Sequence, residues 1–327
     1  MTNLKWAMVG TGFMSTLILK DFALAAGTEL VALVSRDVAK ADARLAAEGI
    51  AAKALTFEQA IADPEIDVIY IGTPHASHFG LAKQALEAGK NVLVEKAFTM
   101  DAAEARELAA IAKQHNRFLM EAMWTKFQPM LIEVKRLVES GRIGKLKLVE
   151  SSFGMNLPFD DSQRLFNFEQ GGGSALDQGV YTATWAHWFA DSKITKQITH
   201  GELFTNGSDA SVHTTFEYEN GTFGIALTSL VATLGFGGRL VGDTGSIEIV
   251  GQFWNTEEIN INGPFDGQDH PVENIKMPHK GAGYVHMIEA VNEAILAGNL
   301  ESEQHPLSFT IEIMEILDEA RRQINEP

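Results

Sequence analysis

The stretch Trp6-Ala7-Met8-Val9-Gly10-Thr11-Gly12-Phe13-Met14-Ser15, near the start of the chain, joins an apolar run to a glycine turn and a helix start. Gly10 permits a tight turn, and Gly12 lets a pyrophosphate approach the outward-pointing amides of a helix N-terminus. Ser15 occupies the third glycine position of this fingerprint and is small enough for close helix–strand packing. We therefore expect the turn and the helix start to bind dinucleotide phosphates through Gly10, Thr11, Gly12, Phe13 and Met14. The alternative is a plain glycine turn.

Apolar runs and amphipathic stretches alternate through the next hundred residues. Continuous apolar runs between helices are typical of a parallel sheet covered on both faces. The runs lie at 30–34, 68–71, 92–94 and 118–120, and the predicted helices at 13–26, 38–48, 77–88 and 101–115. Thr56 with Gln59 forms a capping-box pattern before a short helix. The fold class is thus α/β, with a doubly wound Rossmann domain over residues 1–122.

The remainder, residues 123–327, has a different pattern and predicts an α+β domain with a largely antiparallel open sheet. A strand is expected at 145–154, and hairpins at 211–230 and 239–250. Asn220-Gly221 in the first hairpin indicates a type I′ turn. Single helices are expected at 130–139, 177–190, 283–297 and 308–323. Few helices cover this sheet, so we expect a second copy to cover its other face, giving a homodimer.

Composition excludes several functions. The 327 residues carry 26 Lys plus Arg against 43 Asp plus Glu, a formal net charge of −17, which argues against nucleic acid as a partner. Cys is absent, which excludes disulfides and thiolate chemistry and is compatible with a cytoplasmic location. No apolar run is long enough to span a membrane, and residues 1–5 do not resemble a signal peptide.

The residues that follow the second apolar run bear on which cofactor binds. An acidic residue about 20 positions after the glycine turn would bind the ribose hydroxyls of NAD. The sequence offers Ser35 and Arg36 there instead, and a hydroxyl and a guanidinium suit a 2′-phosphate. We therefore expect NADP rather than NAD. The alternative is that Arg36 is only a solvated surface charge, and the adjacent Asp37 complicates the assignment.

Further segments carry a family resemblance. They are Ile71-Gly72-Thr73-Pro74-His75 with His78, Val94-Glu95-Lys96-Ala97, Leu119 to Pro129, and Gly172 to Tyr181. Together with the glycine turn, and in this order and spacing, they resemble the Gfo/Idh/MocA oxidoreductase family over nearly the whole chain. Within it, they are similar to the branch of dimeric dihydrodiol dehydrogenase and NADP-dependent D-xylose dehydrogenase.

The resemblance implies hydride transfer between NADP and a hydroxyl-bearing carbon of a cyclic vicinal diol or an aldose. It further implies that Lys96 and Tyr181 form the proton-transfer pair, with Asp177 nearby. Lys96 and Glu95 would also contact the cofactor, Glu95 at the nicotinamide ribose. The usual Glu-Lys-Pro of the family is Glu-Lys-Ala in this sequence, because Ala97 replaces the proline.

The chemistry of Lys96 and Tyr181 is consistent with that role. A free tyrosine has a pKa of about 10, and an ammonium at ~4 Å would favour its phenolate by up to about 4 kcal/mol. Lys96 follows a parallel strand at its carboxyl end, where open α/β sheets bind ligands. Asp177 and Tyr181 are four residues apart and should share a helix face. Taken singly, Lys96 could be a surface lysine and Tyr181 a half-buried aromatic residue.

Other residues are weaker candidates for the site. Thr73, Pro74, His75 and His78 follow a strand end and are expected along the cofactor path. No third ligand accompanies the two histidines, so we expect no metal site. Trp124 is either a flat wall of the substrate pocket or a core residue. Arg164 precedes the glycine run and could contact a polar substrate.

Two other functions are compatible with this fold. An NAD-dependent glycoside hydrolase would retain its cofactor and release free sugar. A cofactor-sensing regulator would bind without turnover, and the presence of both Lys96 and Tyr181 argues against it. Fold alone does not decide between them.

Overall fold

The computed structural model describes residues 3–264 and 272–325. They fall into two units, Met1–Phe127 with Lys280–Ile311 and Gln128–His279 with Glu312–Pro327. Met1 and Thr2, part of the N-terminus that we expect to lack a signal peptide, lie outside the described residues.

The first unit contains a six-stranded, fully parallel sheet in the order β3-β2-β1-β4-β5-β6. Its strands are β1 Leu4–Val9, β2 Thr28–Val34, β3 Lys53–Leu55, β4 Val68–Ile71, β5 Asn91–Val94 and β6 Leu119–Glu121. Its first helices are α1 Phe13–Leu24, α2 Val38–Glu48, α3 Phe57–Ala62, α4 His78–Glu87 and α5 Ala102–His115. The central strand β4 is buried at every residue, as its continuous apolar run predicts. The Rossmann prediction is confirmed.

Side-chain caps fix where the helices of this sheet begin. The Asp37 carboxylate accepts from the Lys40 amide at the start of α2, and Asp101 does the same for Glu104 at α5. The capping box before α3 is present in full, because Thr56 and Gln59 each accept from the other's amide. α1 differs, since Gly12 at its N-cap offers no side chain.

The second unit contains an eight-stranded sheet in the order β14-β13-β12-β11-β7-β10-β9-β8. Its strands are β7 Leu146–Gly154, β8 Ile194–Leu203, β9 Asp209–Tyr218, β10 Phe223–Ser229, β11 Gly238–Gly242, β12 Ser246–Ile249, β13 Glu258–Asn262 and β14 Glu273–Lys276. Only the β7–β10 pair is parallel among these pairings. The remaining helices of the chain are α6 Pro129–Glu139, α7 Val180–Ala190, α8 Val285–Leu296 and α9 Leu307–Asn325. The largely antiparallel sheet is confirmed.

The turn between β9 and β10 differs from the predicted type I′ turn. The Gly221 amide donates to the Tyr218 carbonyl, so the central residues are Glu219 and Asn220. Gly221 has a φ of +83°, whereas Asn220 is not among the non-glycine residues with positive φ. A type I′ turn at Asn220-Gly221 would need positive φ at both positions. The prediction is wrong because Gly221 closes a longer hairpin loop, as its single left-handed residue.

The predicted helix at 177–190 also differs from the observed one. Ala175–Gly179 forms a π-helical turn, and α-helical geometry begins only at Val180. The Val180 amide donates to the Ala175 carbonyl five residues back. Asp177 and Tyr181 therefore lie in differently wound segments, and their shared helix face stays a prediction. Short π-helical segments are frequent at functional sites.

The segment 280–311 is part of the first unit, although the sequence assigns it to the second domain. The Asp21 carboxylate accepts from the Ala282 and Tyr284 amides. Asn292 on α8 accepts from the Trp6 indole N–H and donates to the Thr28 hydroxyl. These contacts join residues that lie far apart in sequence, so local patterns could not predict them. The domain boundary near residue 122 stays a prediction.

The helices of the described residues lack the combination of length and apolar character that crossing a bilayer requires.

Candidate active site

The glycine turn after β1 is built around a close contact between Gly10 and Gly72. Gly10 has a φ of +118°, and a Cβ there would lie 2.5 Å from the Gly72 carbonyl oxygen. The Ser15 hydroxyl donates to the Gly10 carbonyl at 2.6 Å. Ser15 is thus a buried side chain that closes the turn, which accounts for a serine where the fingerprint has its third glycine.

Gly12 leaves the start of α1 open. A Cβ on Gly12 would meet no described atom within 4 Å, so the protein itself does not require a glycine there. Within the part of the chain that the structure describes, no side chain caps this end, and the first turn of α1 carries no acidic residue. The first amides of a helix have no intrahelical acceptor and attract anions. The space and the amides of Phe13 and Met14 therefore fit a pyrophosphate.

Ser35 and Arg36 lie directly after β2. The Ser35 hydroxyl accepts from the Asp37 amide at 3.1 Å, and the Asp37 carboxylate is engaged in capping α2. Arg36 is exposed and forms no ion pair with any side chain that the structure describes. The acidic neighbour is thus occupied locally, while the guanidinium is available to an anion.

Glu95 lies at the end of β5, next to Lys96. Its side chain is only 3% exposed and accepts from the Tyr70 hydroxyl at 2.7 Å and from the Lys96 amide at 3.2 Å. Burial raises the pKa of Glu95 to about 7, against the opposing effects of the Tyr70 hydrogen bond and the Lys96 charge. Both carboxylate oxygens therefore contact the protein itself. Lys96 is half-buried, and its peptide bond to Ala97 is cis.

The loop after β4 is tied to the Lys96 segment by His78. One ring nitrogen of His78 lies 3.0 Å from the Ala97 carbonyl oxygen and the other 2.8 Å from that of Thr73. His75 packs edge-on against the same ring, and both histidines are buried. The structure thus brings Thr73, Pro74, His75 and His78 together at one edge of the sheet. Their contacts with the cofactor stay a prediction.

Trp124 is buried and stacks on Tyr284, with ring centroids 4.1 Å apart and planes 15° from parallel. Burial raises the pKa of Tyr284 well above its ordinary value. Within the first unit, Trp124 therefore packs as a core residue does. Its role as a substrate wall stays a prediction.

A buried polar cluster at the end of β6 was not predicted. Glu121 accepts from the Thr310 hydroxyl at 3.1 Å and lies 3.0 Å from His305 Nε2. Burial lowers the pKa of His305, while the hydrogen bond to Glu121 opposes that change. The Lys126 ammonium lies 3.8 Å from the Phe309 ring centroid. These partners come from sequence positions far apart, so no local signal could have found them.

In the second unit, Asp177 and Arg164 form an ion pair. Arg164 Nη2 donates to Asp177 Oδ1 at 2.9 Å, and Asp177 is the less exposed of the two side chains. The sequence singled out both residues but for separate tasks. The structure brings them together, so Arg164 orients Asp177 as well as offering a partly exposed guanidinium.

Tyr181 lies in the first turn of α7 and is only 5% exposed. Its ring centroid lies 6.1 Å from that of Phe153 and 5.7 Å from that of Trp254. These two rings stack on each other at 4.1 Å, and Phe236 packs against both. The ring of Tyr181 therefore packs against a cluster of aromatic rings. The sequence did not indicate them, because the rings come from separate strands and loops.

Metal binding has no support in the described residues. Among them, no group of three or more His, Cys, Asp or Glu side chains could hold a metal ion.

Two family profiles match the chain. The profile described as "Oxidoreductase family, NAD-binding Rossmann fold" matches residues 4–123. The profile described as "GFO/IDH/MocA C-terminal domain" matches residues 131–248.

Curated relatives align over almost the full chain. The trans-1,2-dihydrobenzene-1,2-diol dehydrogenase of Xenopus laevis is 31% identical, with 98% of each chain covered. The D-xylose 1-dehydrogenase (NADP(+)) of Hypocrea jecorina is 32% identical, with 98% of this chain and 92% of the relative covered.

Solved structures share the fold at lower identity. The aldose-aldose oxidoreductase of Caulobacter crescentus superposes with a TM-score of 0.88 at 22% identity, covering 99% of this chain and 98% of that one. A levoglucosan dehydrogenase superposes with a TM-score of 0.87 at 18% identity, with the same coverage. These similarities concern the fold alone.

Proposed function

Because the chain belongs to the Gfo/Idh/MocA oxidoreductase family, we propose that it is an NADP-dependent dehydrogenase acting on a cyclic vicinal diol or an aldose. The reaction moves a hydride between the nicotinamide and a hydroxyl-bearing carbon. The observation that carries this proposal is the alignment, over 98% of the chain, with relatives named as a diol dehydrogenase and a D-xylose dehydrogenase.

The protein's own contribution is to position and move a proton. When bound, the nicotinamide supplies the hydride acceptor or donor. Tyr181 exchanges the proton of the substrate hydroxyl, and the Lys96 ammonium stabilises the phenolate form of Tyr181. Asp177, held by Arg164, orients the substrate.

The choice of NADP rests on Arg36. This exposed guanidinium lies where an acidic residue would bind the ribose of NAD. We expect Arg36→Ala to raise the KM for NADP at least about tenfold, because a charge-assisted contact to phosphate is lost. The KM for NAD should change little, since NAD lacks the 2′-phosphate. An unchanged KM for NADP would refute this assignment.

The proposed reaction can be tested by following the absorbance of the reduced nicotinamide. NADP⁺ and NAD⁺ would each be offered with D-xylose, with other aldoses and with trans-1,2-dihydrobenzene-1,2-diol. Tyr181→Phe and Lys96→Met should lower kcat by about 10²-fold or more while NADPH binding, measured by its fluorescence, is kept. Native turnover by Tyr181→Phe would remove tyrosine from the mechanism.

The same assay separates the two other functions. A hydrolase would release free sugar from a glycoside with a retained, non-exchanging cofactor and no net change in absorbance. A regulator would bind NADPH and turn over none of the substrates. The cytoplasmic location stays a prediction.

We also propose a homodimer formed through the outer face of the eight-stranded sheet. Phe223 is 55% exposed, and the strand register places it beside Leu148, which pairs with Val241. These side chains lie on the face opposite the buried Val149 and Ala226. Light scattering should give twice the monomer mass, and Phe223→Asp should give monomers. A native protein of monomer mass at micromolar concentration would refute the dimer.

A further inference from the structure

Asp209, the first residue of β9, is a buried carboxylate that no part of the proposed mechanism uses. Its side chain is 6% exposed. Oδ2 accepts from the Ala175 amide at 2.5 Å and from the Ser174 hydroxyl at 3.1 Å. Burial raises the pKa of Asp209, and these two hydrogen bonds oppose that change. A buried carboxylate thus binds the start of the segment that carries Asp177 and Tyr181.

Gly173 makes room for this contact. It has a φ of +123°, and a Cβ there would lie 2.6 Å from Asp209 Oδ1. A second strand supports the arrangement, because the Thr228 hydroxyl donates to the Ser174 hydroxyl at 3.2 Å. The glycine run thus serves a carboxylate of the protein itself, in addition to giving the chain a flexible path.

Ala175 is held at both of its backbone groups. Its amide donates to Asp209, and its carbonyl accepts from the Val180 amide in the bond that defines the π-helical turn. If the Ala175 amide were released, the turn could rewind as an α-helix by shifting one residue. Such a shift would turn Asp177 around the helix axis relative to Tyr181, because an α-helix is wound more tightly than a π-helical turn.

We propose that Asp209 is a positioning residue for the dehydrogenase reaction: by binding the Ala175 amide, it fixes the π-helical turn and with it the placement of Asp177 relative to Tyr181. The inference rests on the proposed function, because it assumes that these two side chains act on the substrate. Asp209 itself touches neither substrate nor cofactor. It acts through the backbone of the turn.

The test compares three substitutions in β9. Asp209→Asn keeps an oxygen that can accept from the Ala175 amide and the Ser174 hydroxyl, and it removes only the charge. Asp209→Ala removes the acceptor. Ser211→Ala is the matched control, because Ser211 is buried on the same strand and its hydroxyl binds Ser229 and Glu202, outside the π-helical turn. The readouts are kcat, KM, NADPH affinity and melting temperature, with D-xylose and trans-1,2-dihydrobenzene-1,2-diol as substrates.

We expect Asp209→Ala to lower kcat by about 10- to 100-fold, since small misplacements of reacting groups cost that much. Its NADPH affinity should stay within about twofold of native, since the glycine turn of α1 is unaltered. Asp209→Asn should restore kcat to within about threefold of native. Ser211→Ala should lower the melting temperature with native kcat. Equal kcat for Asp209→Ala and Ser211→Ala would overturn the proposal.

Two further variants keep the test decisive. Asp209→Glu moves the carboxylate by one methylene, and it covers the case in which Asp209→Ala does not fold. Native kcat for Asp209→Glu would also overturn the proposal. If both changes disturb the same proton-transfer step, the double variant Asp209→Ala/Tyr181→Phe should have the same kcat as Tyr181→Phe alone. Native turnover by Tyr181→Phe would refute the proton-transfer role of Tyr181. The kcat values of the Asp209 variants would then test only the placement of Asp177.

Discussion

Glu95 should make the stability of the protein fall as the pH rises towards neutrality. Its folded pKa is raised from 4.5 to about 7, mainly by burial. The folded state therefore binds more protons than the unfolded state between these values. The stabilisation that Glu95 contributes is therefore fully present below its unfolded pKa and is lost as the pH rises through its folded pKa.

The magnitude follows from the same two pKa values. Each unit of pKa difference is worth about 1.4 kcal/mol, so the linkage between about pH 5 and pH 8 amounts to roughly 2 to 3 kcal/mol. Glu95→Gln removes this titration and can still accept from the Tyr70 hydroxyl. The free energy of unfolding of the variant should thus depend on pH less steeply than that of the native protein, by roughly this amount.

Urea denaturation followed by tryptophan fluorescence at about pH 5 and about pH 8 measures this difference. Glu303→Gln, at an exposed carboxylate of the same unit, is the matched control and should keep the native pH dependence. Tyr70→Phe should move the loss of stability to higher pH, because the hydrogen bond from Tyr70 lowers the pKa of Glu95. Identical pH dependence in native protein and Glu95→Gln would refute the reasoning.

Three other substitutions test the structure at defined points. Gly10→Ala forces a Cβ to within 2.5 Å of the Gly72 carbonyl at a φ of +118°; we expect weakened NADPH binding in a fluorescence titration, and unchanged affinity would contradict this. Asp101→Ala removes the cap of α5 and should cost about 1 kcal/mol in urea unfolding with native kcat. Arg164→Met releases Asp177 and should lower kcat/KM with native NADPH affinity; a native kcat/KM would show that the ion pair does not matter.

Local patterns predicted most of the first unit because its strands are continuous buried runs. Val68–Ile71 is fully buried and was bounded correctly by its apolar residues alone. The polar strands at the two edges of the eight-stranded sheet could not be predicted from apolar runs. The strand β14, Glu273–Lys276, is mostly exposed and carries one apolar residue, so its sequence gives no periodic signal. β8 has the same weakness over much of its length.

The residues of the candidate site also differ in whether local sequence patterns or distant contacts determine them. Gly10, Gly12, Lys96 and Tyr181 could be predicted as site residues because each belongs to a short local motif at a strand end or a helix start. What sets the environment of these residues comes from distant positions. The hydrogen bond between Tyr70 and Glu95 joins neighbouring strands, and only the parallel pairing of β4 with β5 brings these two residues together.

Buried carboxylates account for much of what the sequence could not predict. Glu95, Glu121 and Asp209 are each buried among polar partners supplied by other elements. A buried carboxylate without such partners would cost several kcal/mol, so each one requires that its partners be placed accurately. In the second unit this requirement joins β9 to the turn before α7. In our proposal, the placement of Asp177 relative to Tyr181 depends on Asp209, which belongs to no recognisable sequence motif. The effect of an Asp209 substitution on kcat should be separable from its effect on stability.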